Sequence, residues 1–282
     1  MELFRALAVL AEPPTEETRR VAEALGLGAQ PGADEYTELF VFQLYPYGSV
    51  YLGREGMLGG EARDRVGGFW RALGQAPPAE PDHLAVMLAL YARLCELEEE
   101  EGAKWRVARK ALLWEHVLSW LPCYLTKLAE IAPPFYHEWG EVLMKAVLAE
   151  IETAGRQEAL PLHLREAAPL DDPREDEGAD LWQSLLAPAR SGMILTRADL
   201  RRAAQELGCG LRMGERKFVL KSLAAQDPVG TFDWLIEEAK LWEKRHSEFE
   251  PALGAVASFW IQQAKAARGL LLELKQEAAK VV

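Results

Sequence analysis

Glu80, Asp82 and His83 stand together in the stretch PPAEPDHLAVMLALYARL, residues 77–94. An acid and an imidazole at the mouth of a core helix can cap that helix, or they can recognise a ligand. From Leu84 onward the apolar residues Leu84, Met87, Leu88, Tyr91, Leu94 and Cys95 keep 3 and 4 spacing, which predicts a helix burying one face. Pro81 suits a first helical turn, where no amide hydrogen is needed, and Asp82 then sits where the helix dipole favours negative charge. Capping explains Pro81 and Asp82 fully. It explains His83 less well, because Lys, Gln or Ala would serve there.

His116 lies in LLWEHVLSWLPCYL, between Trp114 and Trp120, where an imidazole is expected to be a packed, hydrogen-bonded core residue. Tyr45, Tyr47 and Tyr51 fall in YPYGSVY, a predicted loop. They can line a peptide groove, since aromatics give contact area at low entropy cost, or plug the end of a bundle. His137 and Glu138 do not complete HExxH. His163 and His246 lie in polar stretches of sequence. Five scattered His and three scattered Cys offer no zinc ligand set, so no metal is expected. GxxxxGK[ST] and GxSxG are absent, and no strand supports a GxGxxG, so neither a cofactor nor a catalytic residue is assigned. Residues 190–221 are locally basic, with two short helices around Gly208 and Gly210. A solvated face, or pairing with the acidic segment just before it, explains them better than a helix-turn-helix does.

Those residues must be positioned by helices. Helical periodicity runs through the whole chain, with no alternating strand pattern, so the fold class is all-α. Residues 1–155 read as a helical bundle. Residues 156–180, with LREAAPLDDPREDEGAD, read as an acidic linker or loop. Residues 181–282 are helical again, with Thr196 and Asp199 as an N-terminal cap. In the last helix Leu253, Val256, Trp260, Ala264, Ala267, Leu271, Leu274, Ala278 and Val281 form a stripe expected to pack on the bundle or on another subunit. A hydrophobic fraction of 49% over 282 residues is that of a globular chain. The formal charge of −12 argues against nucleic acid or anionic membrane as the main partner and suits a basic ligand. No stretch is long enough to span a membrane, residues 1–14 are not a secretory signal, and isolated Cys95, Cys123 and Cys209 fit a reducing compartment, so cytoplasm is expected.

In order along the chain, LFVFQLYPYGSVYLGREG, AEPDHLAVMLALYARL and WEHVLSWLPCYL resemble the TorD/DmsD/NarJ-like family over roughly residues 35–155. The acid-Pro-Asp-His segment is the most specific part of the likeness. The family motif reads Glu-Pro-x-Asp-His. Asp82 and His83 match its last two positions, Ala79 occupies the place of its Glu, and Glu80 sits one residue late. The resemblance implies an all-helical cytoplasmic chaperone, not an enzyme, with no cofactor of its own. Its partner would be the apo catalytic subunit of a molybdenum-cofactor oxidoreductase and that subunit's basic twin-arginine signal peptide. The chain would act as monomer or homodimer. The implied peptide-binding residues are Asp82, His83, Glu80, Tyr45, Tyr47, Tyr51, His116 and Trp120. Asp82 would accept an arginine fork, a strong directional contact when partly shielded. A job on the mature client without the signal peptide is the alternative within the family. An α-helical, metal-dependent hydrolase is the alternative outside it.

Overall fold

Helices account for nearly all regular structure in the computed structural model, which describes residues 1–175 and 178–280. Among the described residues there is no strand, only one isolated antiparallel bridge between Tyr47 and His83. No helix among them is long and apolar enough to cross a membrane. The chain forms two compact units: Met1–Val50 with Leu58–Arg165, and Tyr51–Met57 with Glu166–Val282.

The first unit is organised around the helix Leu84–Glu101, whose Leu84, Met87, Leu88, Tyr91 and Leu94 are buried as their spacing predicts. The helix Glu2–Leu10 packs against it, with the Phe4 and Tyr91 rings edge-to-face at 4.9 Å. Trp139, on the helix Pro134–Ala154, donates its indole N–H to the Leu7 carbonyl at 3.2 Å. Two helices change period midway. Ala33–Tyr36 continues as a π-helix over Thr37–Gln43, and Lys104–Ala111 continues as one over Leu112–Val117. Pro122 reads in the sequence as interrupting a helix, and it does not. It stands in the first turn of a new one, Leu121–Ile131, where its missing N–H costs nothing. The predicted YPYGSVY loop contains a short helix, Gly48–Leu52.

In the second unit the helices Pro228–Ser247 and Ala255–Ala278 pack along each other. The stripe expected to pack on the bundle or on another subunit instead packs along Pro228–Ser247 of its own unit, and Leu253, Val256, Trp260, Ala264, Ala267, Leu271 and Leu274 are all buried. Ala278 is half-buried, and Val281 lies outside the described residues. Gly254 separates the last helix from a short turn, Glu250–Leu253. The cap read at Thr196 is a complete capping box for the helix Arg197–Glu206, with Thr196 and Asp199 exchanging side-chain-to-backbone bonds. His163 and His246 do not sit in polar surroundings. His163, in the first unit, packs its ring 5.7 Å from that of His116. His246, in the second, lies between Trp242 and Trp260 and donates from Nε2 to the Gly192 carbonyl at 2.8 Å. Ring packing by residues distant in sequence overrides the polar local context in both places.

Candidate functional site: an acidic aromatic cleft

The helix Leu84–Glu101 begins one step later than its sequence suggests. Its N-cap is His83, in extended conformation, with Nδ1 accepting from the Ala85 amide at 3.3 Å. That bond leaves the imidazole proton on Nε2. Pro81 and Asp82 therefore lie outside the first turn, and Asp82 does not cap its own helix. Its carboxylate instead accepts the Ser49 amide at 3.0 Å. Main-chain bonds run alongside. Gly48 N–H donates to the Asp82 carbonyl at 2.9 Å, and Leu84 N–H donates to the Pro46 carbonyl at 2.8 Å. The aromatic loop is thereby laced to the start of the core helix, and the bridge between Tyr47 and His83 is the visible result.

Gly48 permits the close fit. A Cβ there would come within 3.2 Å of the Trp120 indole nitrogen. Trp120 is fully buried and donates Nε1–H to the His116 carbonyl at 2.8 Å, so it forms the floor beneath the loop.

Above that floor a cleft of about 300 Å³ opens between Tyr47, Leu58, Gly59, Arg63, Ala79, Glu80 and Asp82. Tyr47 donates its hydroxyl to Glu80 at 2.9 Å and sets its ring edge-on to His83 at 4.8 Å. Arg63 donates to the Ala79 carbonyl at 2.7 Å, which holds the chain just before Glu80. A third carboxylate arrives from outside the motif: Glu12 Oε1 lies 3.7 Å from His83 Nδ1.

Burial is the main influence on His83 and lowers its pKa, while Glu12, Glu80 and Asp82 pull the other way. Burial likewise raises Tyr36 to about 12, helped by Glu12 and Glu80. It raises Tyr47 too, helped by the hydrogen bond to Glu80. The mouth thus presents the Tyr47 phenol and acidic side chains beside a buried imidazole. Such a surface suits a guanidinium, which donates in a planar fork and stacks on aromatic faces.

Asp82 is only 2% exposed, so it acts by holding the loop. Asp82→Ala would leave the Ser49 amide buried and unpaired. It is expected to cost about 2 kcal/mol of stability, read as a lower urea midpoint. An unchanged midpoint would contradict this role.

Of the residues predicted from the motifs, Glu80, Asp82, His83 and Tyr47 come together, with Trp120 beneath them. Tyr45 is half-buried and does not line the cleft. Tyr51 is buried and belongs to the second unit. His116 packs between Phe69 and His163, at 5.3 and 5.7 Å, and burial drives its pKa down to about 3. It is a core residue. Sequence reasoning passed over Glu12 and Arg63, and nothing in their local context marks them. Among the described residues no group of three or more His, Cys, Asp or Glu side chains is placed to hold a metal.

Residues 10–125 match the family model described as nitrate reductase delta subunit. The chain is 32% identical over 104 residues to the chaperone protein TorD of Vibrio vulnificus (strain YJ016), covering 34% of this chain and 46% of that one. It is 29% identical over 136 residues to the chaperone protein TorD of Shewanella amazonensis, covering 39% and 55%. The chain thus spans about half the length of the curated relatives it matches. Glu12, Tyr36, Tyr47, Glu80, Asp82 and His83 all fall inside the stretch matched by the family model. Over residues 10–125 the chain is thus similar to the nitrate reductase delta subunit family, and over about a third of its length to TorD chaperones.

Proposed function

We propose that the protein is a chaperone for the maturation of a molybdenum-cofactor oxidoreductase. It works in the cytoplasm by binding, not by catalysis, and holds the twin-arginine signal peptide of its client at the cleft between the Tyr47 loop and Glu80. The observation that carries this reading is the gathering of Glu12, Glu80 and Asp82 with Tyr47 around His83. Glu80 and Glu12 are the exposed acids of the set, and Glu80 can accept one arm of an arginine fork beside its bond to Tyr47. Asp82 and His83 position the loop and the helix start that frame it. Leu58, 55% exposed at the rim, offers contact for the apolar residues that follow paired arginines.

A second reading, in which the mature part of the client is held, is favoured by the description of the matched family as a nitrate reductase subunit. Capture experiments separate the two. The chain is co-expressed with a molybdenum-enzyme catalytic subunit from the same genome, bearing its leader intact, with Lys-Lys for the paired arginines, or without a leader. Strong capture of the intact form, with clear loss for the other two, is the expected result, because Lys cannot form the planar fork. Equal capture of all three would favour the mature domain as the ligand. Failure to capture any would contradict the chaperone reading.

A further inference from the structure

The charge of −12 is not spread evenly over the chain. Between positions 197 and 221 there are seven basic residues against three acidic ones. Part of this excess is neutralised. Lys217 and Lys221 reach Asp180, at 2.5 and 3.9 Å, and Arg202 is held between Asp199 and Glu238. Arg201 and Arg212 are exposed and form no ion pair among the described residues, and Arg197 is exposed beside them in sequence. The same segment carries apolar side chains that the fold leaves in water. Met213 is 88% exposed, Phe218 49% and Leu211 43%.

The exposure follows from how the connection between the helices Arg197–Glu206 and Arg216–Gln226 is pinned. At its near end Gly210 exchanges two bonds with the Gln226 side-chain amide, at 2.8 and 3.0 Å. At its far end the Gly214 carbonyl accepts from Arg197 at 3.1 Å. Gly214 has φ 153, and a Cβ there would come within 2.9 Å of the Phe218 ring, so this end closes only around glycine. Anchored on both sides, the Leu211–Met213 tip is held away from the core, with Arg212 between its two apolar residues.

We infer that this tip is a peripheral docking surface for an anionic lipid bilayer: Leu211, Met213 and Phe218 enter the acyl boundary while Arg201, Arg212 and Arg197 meet headgroup phosphates. Charge complementarity carries the assignment, because these arginines stand out from an otherwise acidic chain. The protruding apolar tip favours lipid over nucleic acid, which offers phosphates to the arginines and no acyl phase to a thioether. The acidity of the rest of the chain opposes adsorption by any other face, so contact is oriented. The surface lies outside residues 10–125 and is independent of the function proposed above.

The test is co-sedimentation of the full chain with phosphatidylcholine vesicles, with and without phosphatidylglycerol. Binding is expected only to the vesicles that contain phosphatidylglycerol, and it should weaken as salt is raised. Arg212→Glu should weaken it at least about fivefold, the worth of one basic residue near an anionic surface. Met213→Ser should weaken it as well. Met57→Ser, at a methionine 64% exposed elsewhere, should leave it unchanged. Thermal melts check that the variants fold. No sedimentation with the anionic vesicles would overturn the inference. So would equal effects of the Met57 and Met213 substitutions. Sensitivity to Arg212→Glu without sensitivity to Met213→Ser would indicate a site for any polyanion, nucleic acid included, and would overturn it too.

Discussion

Gly192→Ala is expected to destabilise the second unit by about 4 kcal/mol, the combined scale of a left-handed non-glycine residue and an overpacked core. Gly192 follows the short helix Pro188–Ser191 at φ 69, ψ 10, and it also lies against the middle of the last helix. A Cβ there would overlap the backbone nitrogen of Ala264 and come within 2.8 Å of its Cα. Those atoms are helix backbone and cannot swing aside. The carbonyl of the same glycine accepts the His246 Nε2–H, so a shift would break that bond as well. Gly208 is the control. Its φ is 63, but a Cβ there would meet nothing within 4 Å. Gly208→Ala should show only the backbone cost, about 1–2 kcal/mol. Urea melts of the two variants measure the difference, and equal losses would contradict the close approach.

Acid should weaken the fold well before the carboxylates titrate. Burial lowers His116 to about 3, assisted by His163 and Arg65. Burial also lowers His246 to about 4, assisted by Arg245 and opposed by the Gly192 carbonyl. In the unfolded chain both imidazoles protonate near 6.5, so below that value the unfolded state binds more protons than the folded one. Their contribution is whole above pH 6.5 and is lost progressively as pH falls towards 4 and 3. By pH 5 the loss is about 2 kcal/mol for each histidine. Carboxylates held below their usual range, such as Asp172 bonded to Arg174, respond only at lower pH. Urea melts between pH 7 and 5 should therefore report the histidines. His116→Gln and His246→Gln should each flatten the dependence by roughly half the combined loss. Stability that is level from pH 7 to 5 would contradict this.

The helices were legible because their apolar spacing is regular, and the cap at Thr196 follows local chemistry. The two π-helical stretches were not. A π turn adds one residue without changing composition, so spacing alone places Trp105 and Ala108 on the buried stripe with Leu112 and His116. The structure leaves Trp105 and Ala108 half-buried and buries Arg109 instead. Arg109 survives there because Glu98 and Glu150 meet it at 2.6 and 2.8 Å, and those partners are remote in sequence. At the cleft the residues Glu80, Asp82 and His83 were readable, but the division of labour among them was not. His83 caps the helix because the Tyr47 loop holds its backbone extended, and Asp82 serves that loop. Glu12 enters the same site from beyond the end of the first helix, through tertiary packing that no local pattern encodes.

The central claim is that acidic side chains at this cleft bind paired arginines, and titration calorimetry of the full chain tests it most directly. The ligand is a synthetic peptide with two arginines followed by apolar residues, offered to wild type and to Glu80→Gln. Glutamine keeps the shape and can still accept from the Tyr47 hydroxyl, so the fold and melting should be unchanged. The account predicts that wild type binds, and that Glu80→Gln binds about tenfold more weakly, the scale of one hydrogen bond to a charged group. Equal affinity of the two proteins for the peptide, or no binding to wild type, would contradict it.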